Sequence, residues 1–199
     1  MTVFIGVDLG QASDYTAIAG LETVSTDVGH IRHLERLPLG MPYPAQVQHI
    51  KDLSHMVPNA LLIVDYTGVG RAVVDLMKQE KLSPIALTIT GGTEATKEGM
   101  NWHVPKRDLI FALIVAFQKK MIKIAKSLKD ADTLEKELVN FKMKVNIKTG
   151  HDSYEAWRDG VHDDLVLAVA MAVYASHLGS RSVQGSFVKK PTLANGVTT

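Results

Sequence analysis

The sequence predicts an α/β fold with a mixed central sheet of five or slightly more strands, the first three antiparallel, and helices on both faces. Short β-branched segments that end in turn residues are typical of buried strands. In the middle of the chain such segments alternate with helical spacing, which indicates right-handed crossovers between parallel strands. A late segment that is apolar on nearly every side indicates a helix buried against the sheet.

The antiparallel strands come first. Residues 3–8 are mostly apolar and precede Gly10, so they predict a buried strand with Asp8 at its end. Residues 15–21 and 30–37 predict two further strands, and the polar segment between them suits a hairpin connection. A three-stranded meander is the expected result.

The parallel part of the sheet follows. Residues 44–56 carry apolar side chains at helical spacing, and residues 60–65 predict a second buried strand that ends at Asp65. A helix over 71–81 and a strand over 83–89 then complete a strand, helix and strand unit. Residues 83–89 should therefore lie parallel to the strand that ends at Asp65.

The last third of the chain is predicted to be mainly helical. Pro105 can start a helix, and residues 133–141 predict a shorter one. Residues 142–148 alternate between apolar and polar side chains, which predicts an edge strand or hairpin arm. Residues 163–178 predict the buried helix. We expect one domain over residues 1–179 and a flexible C-terminal tail over 180–199, where Ser, Gly, Lys, Pro and Thr dominate.

The composition excludes several classes of function. A net charge of +1 gives no overall basic character, and the absence of cysteine excludes disulfides, thiolate metal sites and a cysteine nucleophile. The chain shows neither a signal-peptide pattern nor an apolar run long enough to cross a membrane. These features predict a soluble cytoplasmic protein with no membrane partner.

Acidic residues punctuate the apolar segments. Asp8 and Asp65 end predicted strands, and Asp163 and Asp164 open the last helix. Each acid alone also fits a turn or a helix cap. A carboxylate at the end of a buried strand is costly unless it is paired, and a divalent cation shared by several acids is an effective partner. Together, and in this order, the acids favour a metal site.

With its acids in this order, the chain resembles the ribonuclease H-like superfamily and, within it, the nuclease domain of the large terminase subunit of tailed bacteriophages. The resemblance covers most of the chain and rests on four segments: Phe4-Ile-Gly-Val-Asp8, Ile63-Val-Asp65-Tyr-Thr-Gly-Val-Gly70, Val104-Pro-Lys-Arg-Asp-Leu109 and Gly160-Val-His-Asp-Asp-Leu-Val-Leu-Ala168. One departure is large, because no G-x-x-x-x-G-K-[ST] phosphate loop of a packaging ATPase occurs. The chain is then an isolated nuclease domain, a separately encoded nuclease subunit, or a relative put to another use.

The resemblance implies a hydrolase, a DNA endonuclease that uses two Mg²⁺ or Mn²⁺ ions. By analogy Asp8 bridges both ions, Asp65 binds one, and Asp164 completes the site. Asp163 is then a second ligand or a group that positions water. The reaction implied is cleavage of concatemeric DNA during genome packaging, in the host cytoplasm if the gene belongs to a phage or prophage.

Three residues are candidate contacts to DNA. Lys106 and Arg107 begin a predicted helix, whose amino end favours phosphate, and His162 adjoins the acidic pair. For each of them a solvated surface side chain is the alternative interpretation. Double-stranded DNA is the expected partner, together with a separate packaging ATPase, a small terminase subunit or a portal.

Three other functions are considered. A Holliday-junction resolvase uses the same acid order on a chain of similar size. An actin-like or sugar-kinase-like ATP-binding module is suggested by Gly6-Val-Asp-Leu-Gly10 with Thr16, which resembles the first phosphate loop of that group. The third is a non-enzymatic DNA-binding or assembly module, against which the retained acids argue.

Overall fold

The computed structural model describes residues 1–25, 28–145 and 163–184. Within them the chain forms eight strands and five helices, in the order β1 Thr2–Asp8, β2 Ala17–Ser25, β3 Val28–Arg36, α1 Tyr43–Met56, β4 Leu61–Asp65, α2 Gly70–Gln79, β5 Ile85–Thr90, β6 Thr96–Glu98, β7 Asn101–Pro105, α3 Lys106–Gln118, β8 Ile122–Ile124, α4 Ala131–Val145 and α5 Asp164–Gln184. No helix among these residues is both long enough and apolar enough to cross a membrane.

All eight strands belong to one mixed sheet, in the order β6-β7-β5-β4-β1-β2-β3-β8. Strands β1, β2 and β3 are antiparallel neighbours, whereas β1 pairs with β4, and β4 with β5, in parallel. The predicted meander and the predicted parallel unit are both confirmed. The carboxyl ends of β1, β3, β4 and β5 consequently lie along the same edge of the sheet.

Two apolar cores lie on opposite faces of the sheet. On one face α5 packs against β1, β2 and α3, and its buried residues join Phe4 and Ile63 in a single cluster. On the other face Ile5 and Val64 pack with the apolar residues of α1 and α2. The alternation of side chains along β1 and β4 assigns each strand residue to one of these cores.

The sequence missed three short strands. Strands β6 and β8 have three residues each, and β7 has five. In β7 the buried Trp102 and Val104 alternate with exposed residues, which is a period-two signal too short to stand out beside the helix that follows. That helix, α3, starts directly after Pro105, as expected.

The edge strand predicted over residues 142–148 is wrong for its first part. Helix α4 runs from Ala131 to Val145, so residues 142–145 are helical, and residues 146–148 lie outside the described part of the chain. The spacing of Leu134, Leu138, Phe141 and Val145 continues the helical period, and a helix that has begun extends more readily than a new strand forms. Helix α5 ends at Gln184, six residues beyond the predicted 178, while residues 185–199 of the expected tail are not described.

Candidate functional site

Asp8 and Asp65 end neighbouring parallel strands. Val7 of β1 is paired with Val64 of β4, so the two acids follow at adjacent positions. Asp8 has the same strand parity as Phe4, and Asp65 the same as Ile63, so both acids lie on the face of the sheet that α5 covers. The strand pairing thus brings together two of the predicted acids.

Helix α5 brings the other two. A Cβ placed on Gly6 would stand 2.0 Å from the carbonyl oxygen of Ala168, so the helix backbone crosses directly over β1. The helix starts at Asp164, and its first turn is closed by the bond from the Leu167 N–H to the Asp163 carbonyl oxygen at 3.0 Å. The acidic pair therefore lies at the edge where β1 and β4 end.

The acids interact electrostatically. Asp8 is 8% exposed, and burial raises the pKa of its carboxyl well above the ordinary value, with further increases from the charges of Asp65, Asp164, Asp163 and Asp14. Burial also raises the pKa of Asp65, although hydrogen bonds from Thr67 and the positive charge of Lys106 oppose that rise. The edge of the sheet is therefore a concentration of buried negative charge.

Lys106 and Arg107 are placed differently. Lys106 is the first residue of α3, close enough to Asp65 to lower its pKa. The guanidinium of Arg107 instead donates to the Thr93 carbonyl oxygen at 2.6 Å and pairs with Asp108 at 3.4 Å. Lys106 is thus the basic residue of this pair that adjoins the acids. His162 lies outside the described residues.

Buried polar groups fix the loop that follows Asp8. The Thr16 hydroxyl lies 3.0 Å from the Gly10 N–H, 2.8 Å from the Gly10 carbonyl oxygen and 2.7 Å from Oε1 of Gln46. Gln46 in turn donates to the carbonyl oxygens of Gly10 and Met41. Because Thr16 is only 2% exposed and is engaged with the loop backbone, it is not presented to a phosphate, unlike a residue of an ATP-binding loop.

Two residues that sequence reasoning missed adjoin the acids. Nη2 of Arg36 contacts Oε1 of Glu137 and lies 3.5 Å from Oδ2 of Asp164. Burial raises the pKa of Glu137 to about 7, against the opposing effects of Arg36 and the Val166 N–H. Signals for both existed in the sequence, because Arg36 has the parity of the inward-facing Leu34, and Glu137 lies within the apolar stripe of α4 formed by Leu134 and Leu138.

The donor chemistry fits a hard divalent cation. All four acids offer carboxylate oxygens, which Mg²⁺ and Mn²⁺ prefer, and their mutual repulsion favours a shared cation. Within residues 1–25, 28–145 and 163–184, no three His, Cys, Asp or Glu side chains are gathered closely enough to form a ligand group. The four acids therefore lie near one another and interact electrostatically, but among the described residues they do not form a closed group of metal ligands.

Comparisons with known proteins add an independent line of evidence. No protein-family model matches the chain. The large terminase subunits of Thermus phage G20c and Thermus virus P23-45 are each 27% identical over 175 residues, which is 88% of this chain and 32% of the relative. The chain thus spans about a third of the length of these curated relatives.

Solved structures with the same fold include terminase nucleases. The large terminase nuclease of the thermophilic phage G20c with bound magnesium matches with a TM-score of 0.60 and 22% identity, over 86% of this chain and 80% of that one. The human cytomegalovirus terminase nuclease domain, soaked with manganese, matches with a TM-score of 0.52 and 17% identity, over 86% and 81%. The resemblance to large terminase subunits is thereby confirmed, and the fold is ribonuclease H-like.

The raised pKa of Asp8 predicts a stability effect. The folded state keeps the Asp8 proton above the ordinary pKa of 3.8, so the free energy of unfolding falls as the pH rises from there through the folded pKa. In metal-free buffer at pH 7, Asp8→Asn should raise the free energy of unfolding, because the variant carries no buried carboxylate that ionises beside other acids, and should flatten the pH dependence of that free energy.

Urea unfolding with a chelator, from pH 5 to pH 8, measures this effect. Asp75→Asn is the control, because Asp75 is exposed on α2 at the opposite face of the sheet. If Asp8→Asn were no more stable than the wild type at pH 8, the electrostatic cost assigned to Asp8 would be contradicted.

Gly6 should not tolerate a side chain. In Gly6→Ala the new methyl group meets the backbone of α5, which cannot yield as the end of a side chain can, so we expect a loss of stability of about 1–3 kcal/mol or more. Gly91→Ala is the matched control, because nothing lies within 4 Å of a Cβ there. Chemical unfolding of both variants checks the prediction, and equal stabilities would refute the close approach of α5 to β1.

Proposed function

We propose that this chain is a metal-dependent DNA endonuclease of the terminase type, in which Asp8, Asp65, Asp164 and Asp163 bind two Mg²⁺ or Mn²⁺ ions. The observation that carries the proposal is the buried carboxyl of Asp8, beside which the pairing of β1 with β4 and the crossing of α5 over Gly6 bring Asp65, Asp163 and Asp164. Burial and the charges of the neighbouring acids raise the pKa of Asp8. Gathering buried acids at one place destabilises the folded chain, and metal binding is a function that accounts for keeping them there.

The likeness to terminase nucleases supports the choice of reaction. Crystal structures of the phage G20c nuclease contain magnesium, cobalt or zinc, so that protein accepts several divalent ions. Hard carboxylate donors favour Mg²⁺ or Mn²⁺ here. Bound ions would lower the pKa of a water molecule and stabilise the attacking and leaving oxygens of the phosphodiester.

Each acid has a distinct role in this proposal. Asp8, which lies between the end of β4 and the start of β2, would bind both ions, and Asp65 would bind one of them. The Thr67 N–H donates to Oδ1 of Asp65 at 2.8 Å, which orients that carboxylate. Asp164 completes the site from α5, and Asp163 is a second ligand or positions the attacking water.

Double-stranded DNA is the proposed substrate, and Lys106 is a proposed phosphate contact. Lys106 begins α3, so its ammonium group and the amino end of that helix both favour an anion beside Asp65. Arg107 and His162 remain further candidate contacts. By the likeness to large terminase subunits, a packaging ATPase, a small terminase subunit or a portal is a proposed partner, in the host cytoplasm if the gene belongs to a phage or prophage.

Loss of the acids should abolish cleavage. Wild-type protein should nick supercoiled plasmid DNA with Mn²⁺ or Mg²⁺ and stop when a chelator is added, whereas Asp8→Asn and Asp65→Asn should lower the rate by a factor of about 100 or more. Asp75→Asn should cleave as the wild type does. A parallel assay on a four-way junction tests the resolvase alternative, and preference for the junction over linear duplex would replace the terminase reaction with that one.

Lys106 and Arg107 should differ in their effect on DNA binding. If Lys106 contacts a phosphate, Lys106→Ala should weaken binding to every sequence alike and reduce the slope of log K against log salt by about 1. Arg107→Ala should change the slope less, because its guanidinium is engaged with Thr93 and Asp108. Fluorescence anisotropy with a short duplex at several salt concentrations measures both, and a wild-type slope in Lys106→Ala would remove Lys106 from the DNA interface.

A further inference from the structure

Arg36 lies in the same row of the sheet as Asp8. Asp8 is paired with Ala17, and Ala17 with Arg36, so the three residues cross β1, β2 and β3 side by side. Arg36 ends β3 on the face covered by α5, and its side chain is 17% exposed. A partly buried arginine thus lies two strands away from the central acid of the proposed site.

The Arg36 side chain is anchored by several elements. Its guanidinium lies over the Tyr15 ring, with 4.7 Å between Cζ of Arg36 and the ring centre. Its backbone N–H donates a hydrogen bond to Oδ2 of Asp130 at 3.0 Å. Its Nη2 is shared between Glu137 on α4 and Asp164 on α5. Its Nε is buried and makes no hydrogen bond to any residue that the structure describes. The hydrogen-bonding capacity of the guanidinium is therefore incompletely used, which favours an ion pair with any carboxylate that can reach it.

Glu137 contacts both Arg36 and the first turn of α5. It is 5% exposed, and its Oε2 accepts the Val166 N–H at 3.0 Å. Val166 is the third residue of α5, where backbone N–H groups have no partner within the helix, so Glu137 caps this helix from α4. A neutral amide oxygen could accept this hydrogen bond equally well. The negative charge of Glu137 is needed instead for its ion pair with Arg36.

We propose that Glu137 and Arg36 are positioning residues for Asp164: Glu137 retains the guanidinium, so that Arg36 orients the Asp164 carboxylate without neutralising it. This inference rests on the proposed metal site. Removal of the Glu137 charge leaves Asp164, among the residues that the structure describes, as the carboxylate that pairs with Nη2, and a full Arg36–Asp164 ion pair competes with a metal ion for the same oxygens.

The test separates the capping role from the positioning role. Glu137→Gln keeps an acceptor for the Val166 N–H and loses the charge, so the Mn²⁺ dissociation constant should increase about tenfold or more. A residue that only capped α5 would leave that constant unchanged. In the double variant Glu137→Gln, Arg36→Met no guanidinium remains to close on Asp164, and affinity should recover toward the wild-type value.

Calorimetric titration of the full chain with Mn²⁺ at pH 8, above the pKa of Glu137, provides the readout, after circular dichroism has shown that each variant is folded. The matched controls are Glu22→Gln and Arg32→Met, which remove an ion pair of 2.7 Å between β2 and β3 in which Arg32 is exposed and Glu22 is partly buried. In plasmid nicking, Glu137→Gln should need more Mn²⁺ for half-maximal rate and should approach the wild-type rate at saturation.

The outcomes are distinguishable. A wild-type chain that neither binds Mn²⁺ nor cleaves DNA overturns the proposed function. Normal wild-type binding with an unchanged constant in Glu137→Gln, or a double variant no better than the single one, overturns the positioning role alone. If Glu137→Gln fails to fold, Arg36→Lys replaces it, because an ammonium group cannot bridge two carboxylates as a planar guanidinium can. Weaker Mn²⁺ binding in Arg36→Lys supports the inference, and wild-type affinity overturns it.

Discussion

Helix α5 lies so close to β1 that the carbonyl oxygen of Ala168 occupies the space in which a Cβ on Gly6 would stand. Only a glycine allows this approach, and the approach determines where Asp163 and Asp164 lie. These acids are more than 150 residues from Asp8 along the chain, yet they contribute to its electrostatics because the helix begins over the edge where β1 ends. A shift of α5 by the width of a methyl group would separate them from the strand acids.

The close approach also creates an electrostatic cost. Burial raises the pKa of Asp8 above its ordinary value, and repulsion from the neighbouring acids raises it further. Two cations reduce this repulsion from opposite sides. Lys106 on α3 acts on Asp65, and Arg36 at the end of β3 contacts Asp164. Asp8 lies between these two acids, and burial together with the charges of its acidic neighbours raises the pKa of its carboxyl.

The sequence predicted the parts of the fold that local pattern determines. Strand ends were readable because buried β-branched runs stop at Asp8 and Asp65, and the pairing of those strands follows from their order. The short strands β6 and β8 were missed because three residues carry no measurable period. The prediction ended helix α4 too early, because Met143 and Val145 alternate with polar residues and so resembled a strand more than a continuing helix.

The same reasoning explains which site residues were missed. Asp8, Asp65, Asp163 and Asp164 adjoin apolar runs and therefore stand out in the sequence. Arg36 and Glu137 lie inside elements, and their roles depend on contacts between residues far apart in the chain, 101 residues from β3 to α4 and 29 residues from α4 to α5. A charged residue at an inward-facing position of a predicted strand or helix is the only local trace of such a contact, and it becomes interpretable once the partner element is known.

A site of this kind shifts the balance between the free and the metal-bound protein. Repulsion among the acids destabilises the folded chain without metal, whereas a metal that binds only the folded chain stabilises it by about 2.7 kcal/mol at a free concentration one hundred times its dissociation constant. The two apolar cores must therefore provide the stability of the metal-free state without help from the site. Arg36 links these demands, because a stronger pair with Asp164 would relieve the repulsion and at the same time remove a ligand. Because Glu137 holds part of the Arg36 guanidinium, Arg36 does not fully neutralise Asp164. The acids therefore continue to repel one another until a metal ion binds them.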